Sequence, residues 1–548
     1  MSEPRTRRFT VLMLAASVVG AAIRWTQIQV TRPTCPRITT TPQSGCFRIW
    51  GDAVYGYWQG QMISHGIWWK DPVAYHLDSV RSIREAAGKP PLYPGALGAL
   101  GWWGGVAPLV VTIVLGIGIV ALTWWIASKR CTMLGARLVT GAMVLALAWF
   151  GIGGATSTNQ QRLALAACGV AVIGLMGSTA RSIAGERCGV IVAFIAAVHP
   201  LLWINDGMLQ VESLYALVIV WMIASALRWW ATRSTWSMVE LSAAVAVAAM
   251  LRAEAQLFAV ALIVPLLLRA VDVEWRRRLV QLGVAVAVCA VAWAPWVAWN
   301  QTRFEQAPFG AMTVGTGAVL VSAYCDETYY GDALGYWAAH CFSWPITGTI
   351  RAGESTTQAA DRLLGVSGLG AKVVAGGNVT VTGSQISIAL DKAVLDESES
   401  DAVLRAHAVT YARAHLGRLP VVMAARILRT LDLYKPLDTL RINDQVEGRG
   451  ELPSRIGLYL HWLLLPCAVG GVVVLWRRRH TVVPYVATAG VVLMTTAVTF
   501  GVTRYRIPLD LCEVLLAGVA IDALISRLRP GPPVEAEPVE RMPLDVSL

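Results

Sequence analysis

Ionisable and amide side chains recur at the short connections between long apolar stretches, and their types could carry out group transfer. Four connections hold such residues: Asp52; Asn205, Asp206 and Glu212; Arg252 and Glu254; Arg504 and Arg506. Arginine forks match phosphate oxygens, and a carboxylate can take the proton of a hydroxyl that attacks an anomeric carbon. The set therefore predicts sugar transfer from a lipid-linked phosphate donor, with Asp52 as the general base.

The carboxylates also have plainer interpretations. Asp is a favoured helix N-cap, so Asp52 could cap a helix that begins at Ala53. Asp206 with Gly207 could form an ordinary turn. Glu212 could instead form a buried hydrogen bond with a neighbouring span. For each carboxylate, a site role and a structural role both stay open.

The basic residues have alternatives of the same kind. Arg252 and Glu254 could pair with other turns instead of contacting phosphate or sugar. Arg504 and Arg506 could anchor a helix at the interface, although the positive-inside rule places anchoring arginines on the other side. Lys89, before a pair of prolines, could be an interfacial anchor or a phosphate contact.

Composition identifies the environment of these residues. Of 548 residues, 55% are hydrophobic and 15% are charged, whereas soluble proteins carry about 25% charged residues. Apolar runs of about 20 residues recur, and each can cross a hydrocarbon core of about 30 Å. The net charge of +11 lies in clusters at every second connection, which is the positive-inside pattern and not a nucleic-acid-binding patch. The sequence thus predicts a multi-pass protein of the plasma membrane that contacts the bilayer and no nucleic acid.

Twelve spans are predicted, which puts both termini in the cytoplasm and the polar connections outside. The spans are about 9–30, 105–127, 138–153, 162–180, 188–204, 210–228, 237–251, 254–269, 279–299, 454–476, 482–501 and 507–526. The predicted organisation is a transmembrane module 1–299 with a first outer loop 31–104, an outer region 300–453 with amphipathic helices 402–434, C-terminal spans 454–529, and a disordered cytoplasmic tail 530–548.

Four of the ten cysteines lie in the two predicted outer loops. Cys35 and Cys46 are in the first loop, and Cys325 and Cys341 are in the second. An oxidising exterior permits a disulfide within each pair, although spacing does not establish connectivity. No cysteine or histidine spacing is typical of a metal site, and no metal or cofactor is predicted.

The ordered motifs resemble the GT-C superfamily of polyprenyl-phosphate-sugar-dependent membrane glycosyltransferases, in its family 39-like group of actinobacterial type, which includes protein-mannosyltransferases and aminoarabinose transferases. The resemblance runs from about residue 9 to 526. It rests on Gly51-Asp52, Pro90-Pro91-Leu92-Tyr93-Pro94, Asn205-Asp206-Gly207, Glu212-Ser213-Leu214-Tyr215, Arg252-Ala253-Glu254, Cys325 to Gly331, and Arg504-Tyr505-Arg506.

The resemblance implies an all-α GT-C-like bundle and an inverting transferase with its active site outside. It implies Asp52 as the general base and Asp206 as a second acid. Lys89, Arg252, Arg504 and Arg506 would hold the lipid phosphate, and Tyr93, Asn205, Glu212 and Glu254 would contact substrate. The acceptor stays open among glycan, lipoglycan and protein, and Ala53 replaces the Glu that follows this acid in protein-mannosyltransferases.

Two functions of other classes remain as alternatives. A flippase or transporter for a lipid-linked sugar would need ionisable groups near the bilayer midplane and internal symmetry. Arg24 is the one clear charge well inside a span, and no repeat is visible. A non-catalytic envelope-assembly protein would share the outer loops and tolerate the loss of Asp52. Release of sugar from a polyprenyl-phosphate donor separates the transferase from both.

Overall fold

A computed structural model describes residues 3–33, 47–49, 51–77, 83–103, 109–130, 133–153, 158–341, 345–390 and 394–528. Within these ranges the chain is predominantly helical. The α-helices are α1 Glu3–Thr26, α2 Asp52–Ser64, α3 Pro72–Leu77, α4 Leu92–Gly101, α5 Leu109–Arg130, α6 Met133–Gly153, α7 Thr158–Ala184, α8 Glu186–Val198, α9 Pro200–Trp203, α10 Glu212–Thr232, α11 Thr235–Leu251, α12 Val264–Arg269, α13 Trp275–Arg303, α14 Thr316–Val321, α15 Asp326–Tyr329, α16 Thr356–Leu364, α17 Leu369–Ala375, α18 Glu397–Ala414, α19 Leu419–Thr430, α20 Pro436–Glu447, α21 Glu451–Arg477, α22 Val483–Val498 and α23 Ile507–Leu528. Short 3-10 helices cover Ile204–Gly207, Ala253–Leu257, Ala339–Cys341 and Thr503–Arg506, and π-helices cover Gln27–Thr31 and Ala259–Ile263.

Each predicted span coincides with a helical segment, but not every segment is a regular spanning helix. In the described chain, five helices are long and apolar enough to cross a membrane, or six if α8 and the segment Pro200–Gly207 form one span bent by 65°. The bend falls at Pro200, which cannot donate the backbone hydrogen bond that would continue α8. The predicted span 254–269 is a succession of 3-10, π and α turns. The chain is therefore an all-α membrane protein as predicted, while the number twelve stays a prediction.

The helical bundle packs around small residues. A Cβ atom added at Gly471 of α21 would lie 2.0 Å from the carbonyl oxygen of Leu516 in α23, and one added at Gly518 would lie 2.2 Å from Val192 of α8. Such glycines let backbones approach closely where lipid removes the hydrophobic drive for association. The close approaches at Gly471 and Gly518 thus pack α21 and α8 directly against α23.

The segment between α13 and α21, called the insert below, adds a small three-stranded antiparallel sheet to an otherwise helical fold. Its strands are β1 Ile346–Thr349, β2 Val379–Thr382 and β3 Gln385–Ile388, in the order β1-β3-β2. Ile388 pairs with Ile346 on one side and with Val379 on the other. Buried Ile386 and Ile388 pack on α16 and α17, so the insert has a hydrophobic core of its own.

The predicted amphipathic region 402–434 contains two helices, α18 and α19. Arg426 and Arg429 of α19 are both buried. Arg426 donates to the carbonyls of Ala497 (3.0 Å) and Val498 (3.1 Å) at the end of α22. These carbonyls lack helical partners, and an arginine supplies the missing donors. The arginines therefore fix α19 against the bundle, where Val422 and Ala425 are also buried, while Val421 and Leu428 are exposed.

The structure joins Cys325 and Cys341 in a disulfide. Cys35 and Cys46 lie outside the described residues, as does the tail 530–548, so the structure does not bear on either prediction.

Candidate active site

A cavity of about 340 Å³ opens where the ends of several helices meet. It is lined by the first turns of α2, α4, α10 and α14, and by the last turns of α11 and α22. Because α14 belongs to the insert, the cavity and the insert lie at the same end of the bundle. Helix N-termini carry partial positive charge and free N–H groups, which favour an anionic ligand there.

Asp52 lies at the mouth of this cavity, with both carboxylate oxygens engaged by cations. Lys89 Nζ donates to Oδ1 at 2.7 Å, and Arg504 Nη2 donates to Oδ2 at 2.6 Å. The side chain remains 42% exposed. The helix begins at Asp52 itself, with Gly51 as its N-cap at φ 54°. Asp52 is therefore not the N-cap, which answers the plainer interpretation of this residue.

The two cations set the protonation of the Asp52 carboxyl. Burial in the cavity opposes ionisation, but the charges and hydrogen bonds of Lys89 and Arg504 hold the pKa of Asp52 well below its ordinary value. In this arrangement Asp52 is ionised and a weak base. Removal of one cation would raise its pKa and make it a better proton acceptor.

Arg504 is the centre of an ion network that joins three separate parts of the chain. It lies in the 3-10 helix Thr503–Arg506 after α22, and its three guanidinium nitrogens face three carboxylates. Besides Asp52, Nη1 contacts Glu447 Oε1 at 3.1 Å, and Nε lies 3.3 Å from Glu212 Oε1. Burial alone would lower the pKa of Arg504, and the three carboxylates raise it well above its usual value. The network thus keeps Arg504 charged and occupied.

Arg252 and Glu254 complete the charged wall. Arg252 ends α11 in an extended conformation, and its Nη1 donates to Glu212 Oε1 at 3.0 Å. Its Nε donates to Glu254 at 2.5 Å, and its guanidinium lies 4.5 Å from the ring centre of Tyr505. Arg252 thus pairs with Glu212 of another turn, as the plainer interpretation allowed, and also with Glu254, and both Arg252 and Glu254 line the cavity.

Tyr93 lies in the first turn of α4 and lines the cavity, and the position of its ring requires a glycine in α2. A Cβ atom at Gly56 would lie 2.9 Å from Tyr93 Cε1, so only glycine admits the ring at this position. Gly56 is one helical turn after Asp52, which sets Tyr93 beside the candidate base. The ring is buried, and burial together with the charge of Glu212 raises the pKa of its hydroxyl well above the ordinary value.

Three residues predicted for the site lie elsewhere. Asp206 forms a buried ion pair with Arg24 of α1, and Asn205 Nδ2 donates to the carbonyl of Leu201 at 2.9 Å. Arg506 is buried against Asp432 in a different network. The sequence indicates how near a residue lies to the end of a span, but not which side of the bundle it faces. The roles predicted for Asp206, Asn205 and Arg506 gain no support from this geometry.

Two residues near the site were not singled out from the sequence. Glu447, at the end of α20, contacts Arg504 and also accepts a hydrogen bond from Arg449 Nε at 2.6 Å. Gln210 lines the cavity two residues before Glu212. Gln210 could have been predicted from the sequence, because it is an amide residue next to the end of a span. Glu447 lies at the end of the insert, and no local sequence pattern indicates that this part of the chain contacts the site.

One group of potential metal ligands occurs among the described residues. One ligand atom each from His461, Asp510 and Glu513 lies within 4.8 Å of the others, all buried in the bundle. These groups already have partners: His461 Nδ1 and Glu513 Oε2 share a hydrogen bond of 2.7 Å, and Asp510 accepts from Arg506 at 2.8 Å. The arrangement is that of an ion network around Arg506.

Comparison with known proteins gives only remote similarities. No protein-family model matches the sequence, and no curated protein matches it. Among solved structures, an archaeal oligosaccharyltransferase, AglB from Archaeoglobus fulgidus in complex with an inhibitory peptide and a dolichol-phosphate, aligns with 12% identity and a TM-score of 0.41. The alignment covers 94% of this chain and 50% of AglB, so the chain spans about half the length of that protein.

A second similar structure is ArnT from Cupriavidus metallidurans bound to undecaprenyl phosphate, with 16% identity and a TM-score of 0.35, covering 94% of this chain and 78% of ArnT. A further structure of the A. fulgidus oligosaccharyltransferase, tethered to an acceptor peptide, has a TM-score of 0.43 at 12% identity, covering 94% of this chain and 50% of that one. At such scores the chemistry has to be derived from the cavity itself.

Proposed function

We propose that the chain transfers a sugar from a polyprenyl-phosphate donor to a hydroxyl of a cell-envelope acceptor, with Asp52 as the general base. The observation that carries the proposal is a carboxylate held between Lys89 and Arg504 in the wall of the cavity. A base for the acceptor and cations for a leaving phosphate are the two requirements of this reaction.

The reaction is a single displacement. The acceptor oxygen forms a bond to the anomeric carbon as the bond from that carbon to the phosphate oxygen breaks. The acceptor proton passes to an Asp52 carboxylate oxygen, and the bonding electrons leave with the polyprenyl phosphate. Because the acceptor attacks opposite to the leaving phosphate, configuration at the anomeric carbon inverts.

Lys89 and Arg504 have different roles in this proposal because they have different partners. Among the described residues Lys89 pairs with Asp52, and its side chain is 41% exposed, so it can turn toward an incoming phosphate. Arg504 is occupied by three carboxylates and is 11% exposed, so it stays with the base. When the phosphate takes Lys89, one of the two charges that depress the pKa of Asp52 is withdrawn. Donor binding would thereby strengthen the base at the moment it is needed.

The positive-inside pattern supports an outward-facing cavity. Basic clusters at alternate connections assign the opposite ends of the helices, with the cavity and the insert, to the extracytoplasmic side of the plasma membrane. In this topology the region 300–453 is external, both termini are cytoplasmic, and the donor reaches the cavity from the outer leaflet.

The proposal is tested with purified protein in nanodiscs, a radiolabelled polyprenyl-phosphate sugar and an envelope-derived acceptor. Wild-type protein should release polyprenyl phosphate and label the acceptor. Asp52→Asn should abolish transfer while retaining donor binding and the thermal unfolding midpoint. The matched control is Asp272→Asn, which removes an exposed acid that also pairs with an arginine, Arg233, and should leave transfer unchanged. Normal transfer by Asp52→Asn would remove Asp52 from the mechanism. Lipid translocation in proteoliposomes without sugar release would favour the transporter.

A further inference from the structure

Five buried polar atoms of residues that line the cavity have no hydrogen-bond partner among the described residues: Tyr93 Oη, Gln210 Oε1, Glu212 Oε2, Thr495 Oγ1 and Arg504 Nε. Arg504 Nε still faces Glu212 Oε1 at 3.3 Å, and the first three atoms lie on the segments that begin α4 and α10. The side chains of these three are 6%, 4% and 2% exposed, respectively. Buried polar atoms are nearly always hydrogen-bonded in folded proteins, so three such atoms on one wall indicate a ligand that supplies the missing partners.

The rest of the wall explains why these atoms stay unpaired. The other oxygen of Glu212, Oε1, is held by Arg252 at 3.0 Å and faces Arg504 at 3.3 Å. These contacts fix the orientation of the Glu212 carboxylate and leave Oε2 without a hydrogen-bond partner. Gly56 in turn fixes the ring of Tyr93. The three atoms are thus presented by side chains that have little freedom to find partners elsewhere.

We propose that Tyr93, Gln210 and Glu212 form the subsite for the donor sugar, and that this subsite selects a sugar without an acidic group. The inference rests on the proposed transferase function. Gln210 Oε1 and Glu212 Oε2 can only accept hydrogen bonds, so they require hydroxyl groups that donate. Tyr93 Oη can donate or accept. A sugar with several free hydroxyls satisfies all three atoms.

The charge of Glu212 excludes a second carboxylate. A uronic acid placed here would bring its carboxylate near the carboxylate of Glu212 in a confined cavity, where like charges repel strongly. Arg252 does not offset this repulsion, because it already pairs with Glu212 and Glu254. The subsite also lies beside the base, since Gly56, which contacts Tyr93, is one helical turn from Asp52. A sugar bound to these atoms has its anomeric carbon on the side of Asp52 and Lys89.

The first test measures binding and needs no acceptor. Dissociation constants are measured for farnesyl phosphate and for farnesyl phosphate bearing mannose, arabinofuranose or glucuronic acid, with the full chain in nanodiscs. The better of the two neutral donors should bind at least about tenfold more tightly than farnesyl phosphate alone, because it adds hydrogen bonds to unpaired atoms. The glucuronic acid donor should bind no better than farnesyl phosphate.

The second test removes one unpaired atom at a time. Tyr93→Phe should weaken the better neutral donor about tenfold, leave farnesyl phosphate unchanged and leave the unfolding midpoint equal or higher, because the hydroxyl has no protein partner to lose. The matched control is Tyr485→Phe, since Tyr485 is also buried with an unpaired hydroxyl but does not line this cavity. It should bind every ligand as the wild type does. Glu212→Gln, which keeps the shape and removes the charge, should improve the binding of the glucuronic acid donor relative to farnesyl phosphate.

The outcomes separate this inference from the proposed function. If farnesyl phosphate binds and the sugar-bearing lipids bind equally in wild type and Tyr93→Phe, the subsite is refuted while a lipid-phosphate site remains. Equal binding of glucuronic acid and neutral donors refutes the selectivity. If no lipid phosphate binds, the proposed function and the subsite fall together.

Discussion

Replacement of Arg504 by lysine tests whether one guanidinium joins the insert to the candidate base. Lysine keeps the positive charge but offers a single nitrogen, whereas Arg504 directs three nitrogens toward Asp52, Glu212 and Glu447. Lysine can serve one of these carboxylates well, so about two contacts are lost. We therefore expect Arg504→Lys to lower both the stability and the turnover of the protein.

The magnitude follows from burial. Hydrogen bonds to charged groups contribute about 1.5–3 kcal/mol each, and exposed ion pairs contribute about 0–1 kcal/mol. Arg504 and Glu447 are 11% and 12% exposed, so we assign their contact the larger of these two energies. The contact with Asp52 is partly exposed, so its contribution to the free energy of unfolding is smaller. The loss expected for Arg504→Lys is about 2–4 kcal/mol in the free energy of unfolding.

A double-mutant cycle isolates the contact with the insert. Unfolding in mixed micelles is measured for wild type, Arg504→Lys, Glu447→Gln and the double variant, and a coupling energy of about 1–3 kcal/mol is expected. The control is Glu451→Gln, which breaks the exposed pair with Arg455 and should cost less than about 0.5 kcal/mol. Additive effects of Arg504→Lys and Glu447→Gln, within about 0.5 kcal/mol, would refute the network as a mechanical link.

Three further perturbations have defined outcomes. Lys89→Gln should raise the KM for the lipid-phosphate donor about tenfold with a smaller change in kcat, as measured in initial-rate assays, because Lys89 is the exchangeable phosphate contact; an unchanged KM would contradict that role. Gly56→Ala should weaken sugar-donor binding by displacing Tyr93, whereas Gly118→Ala, whose added Cβ meets no heavy atom within 4 Å, should not. Reduction of Cys325–Cys341, which are 16 residues apart, should lower the stability of the insert by about 3 kcal/mol in the loop-entropy account, and an unchanged unfolding midpoint with dithiothreitol would argue against it.

The helices, and the position of the site at the ends of the spans, could be predicted because both follow from local properties of the sequence. Apolar length predicts a span, and polar residues at the end of a span predict a functional surface. Lys89, Tyr93 and Arg252 were placed near Asp52 on that basis, and the cavity brings them together. Their chemical roles stay predictions until they are tested.

The direction in which a side chain points depends on packing that a single sequence does not reveal. Arg504 and Arg506 look equivalent in the sequence, but a 3-10 helix has about three residues per turn, so residues two apart point to different sides. One arginine therefore enters the cavity and the other enters the bundle. Asp206 has a buried partner, Arg24, from a helix that is 182 residues away in the sequence. Pairings of this kind require the tertiary structure.

The inward arginines of α19 have a consequence for how the chain can be divided or recombined. Arg426 donates to carbonyls at the end of α22, and Gly501 N donates to Gly335 O at 2.9 Å, so the insert and the C-terminal helices complete each other. An insert expressed alone would carry an unpaired guanidinium and an apolar helix face into water. Exchange of substrate-recognition regions between proteins of this architecture should therefore move the insert together with α21, α22 and α23 as one continuous segment.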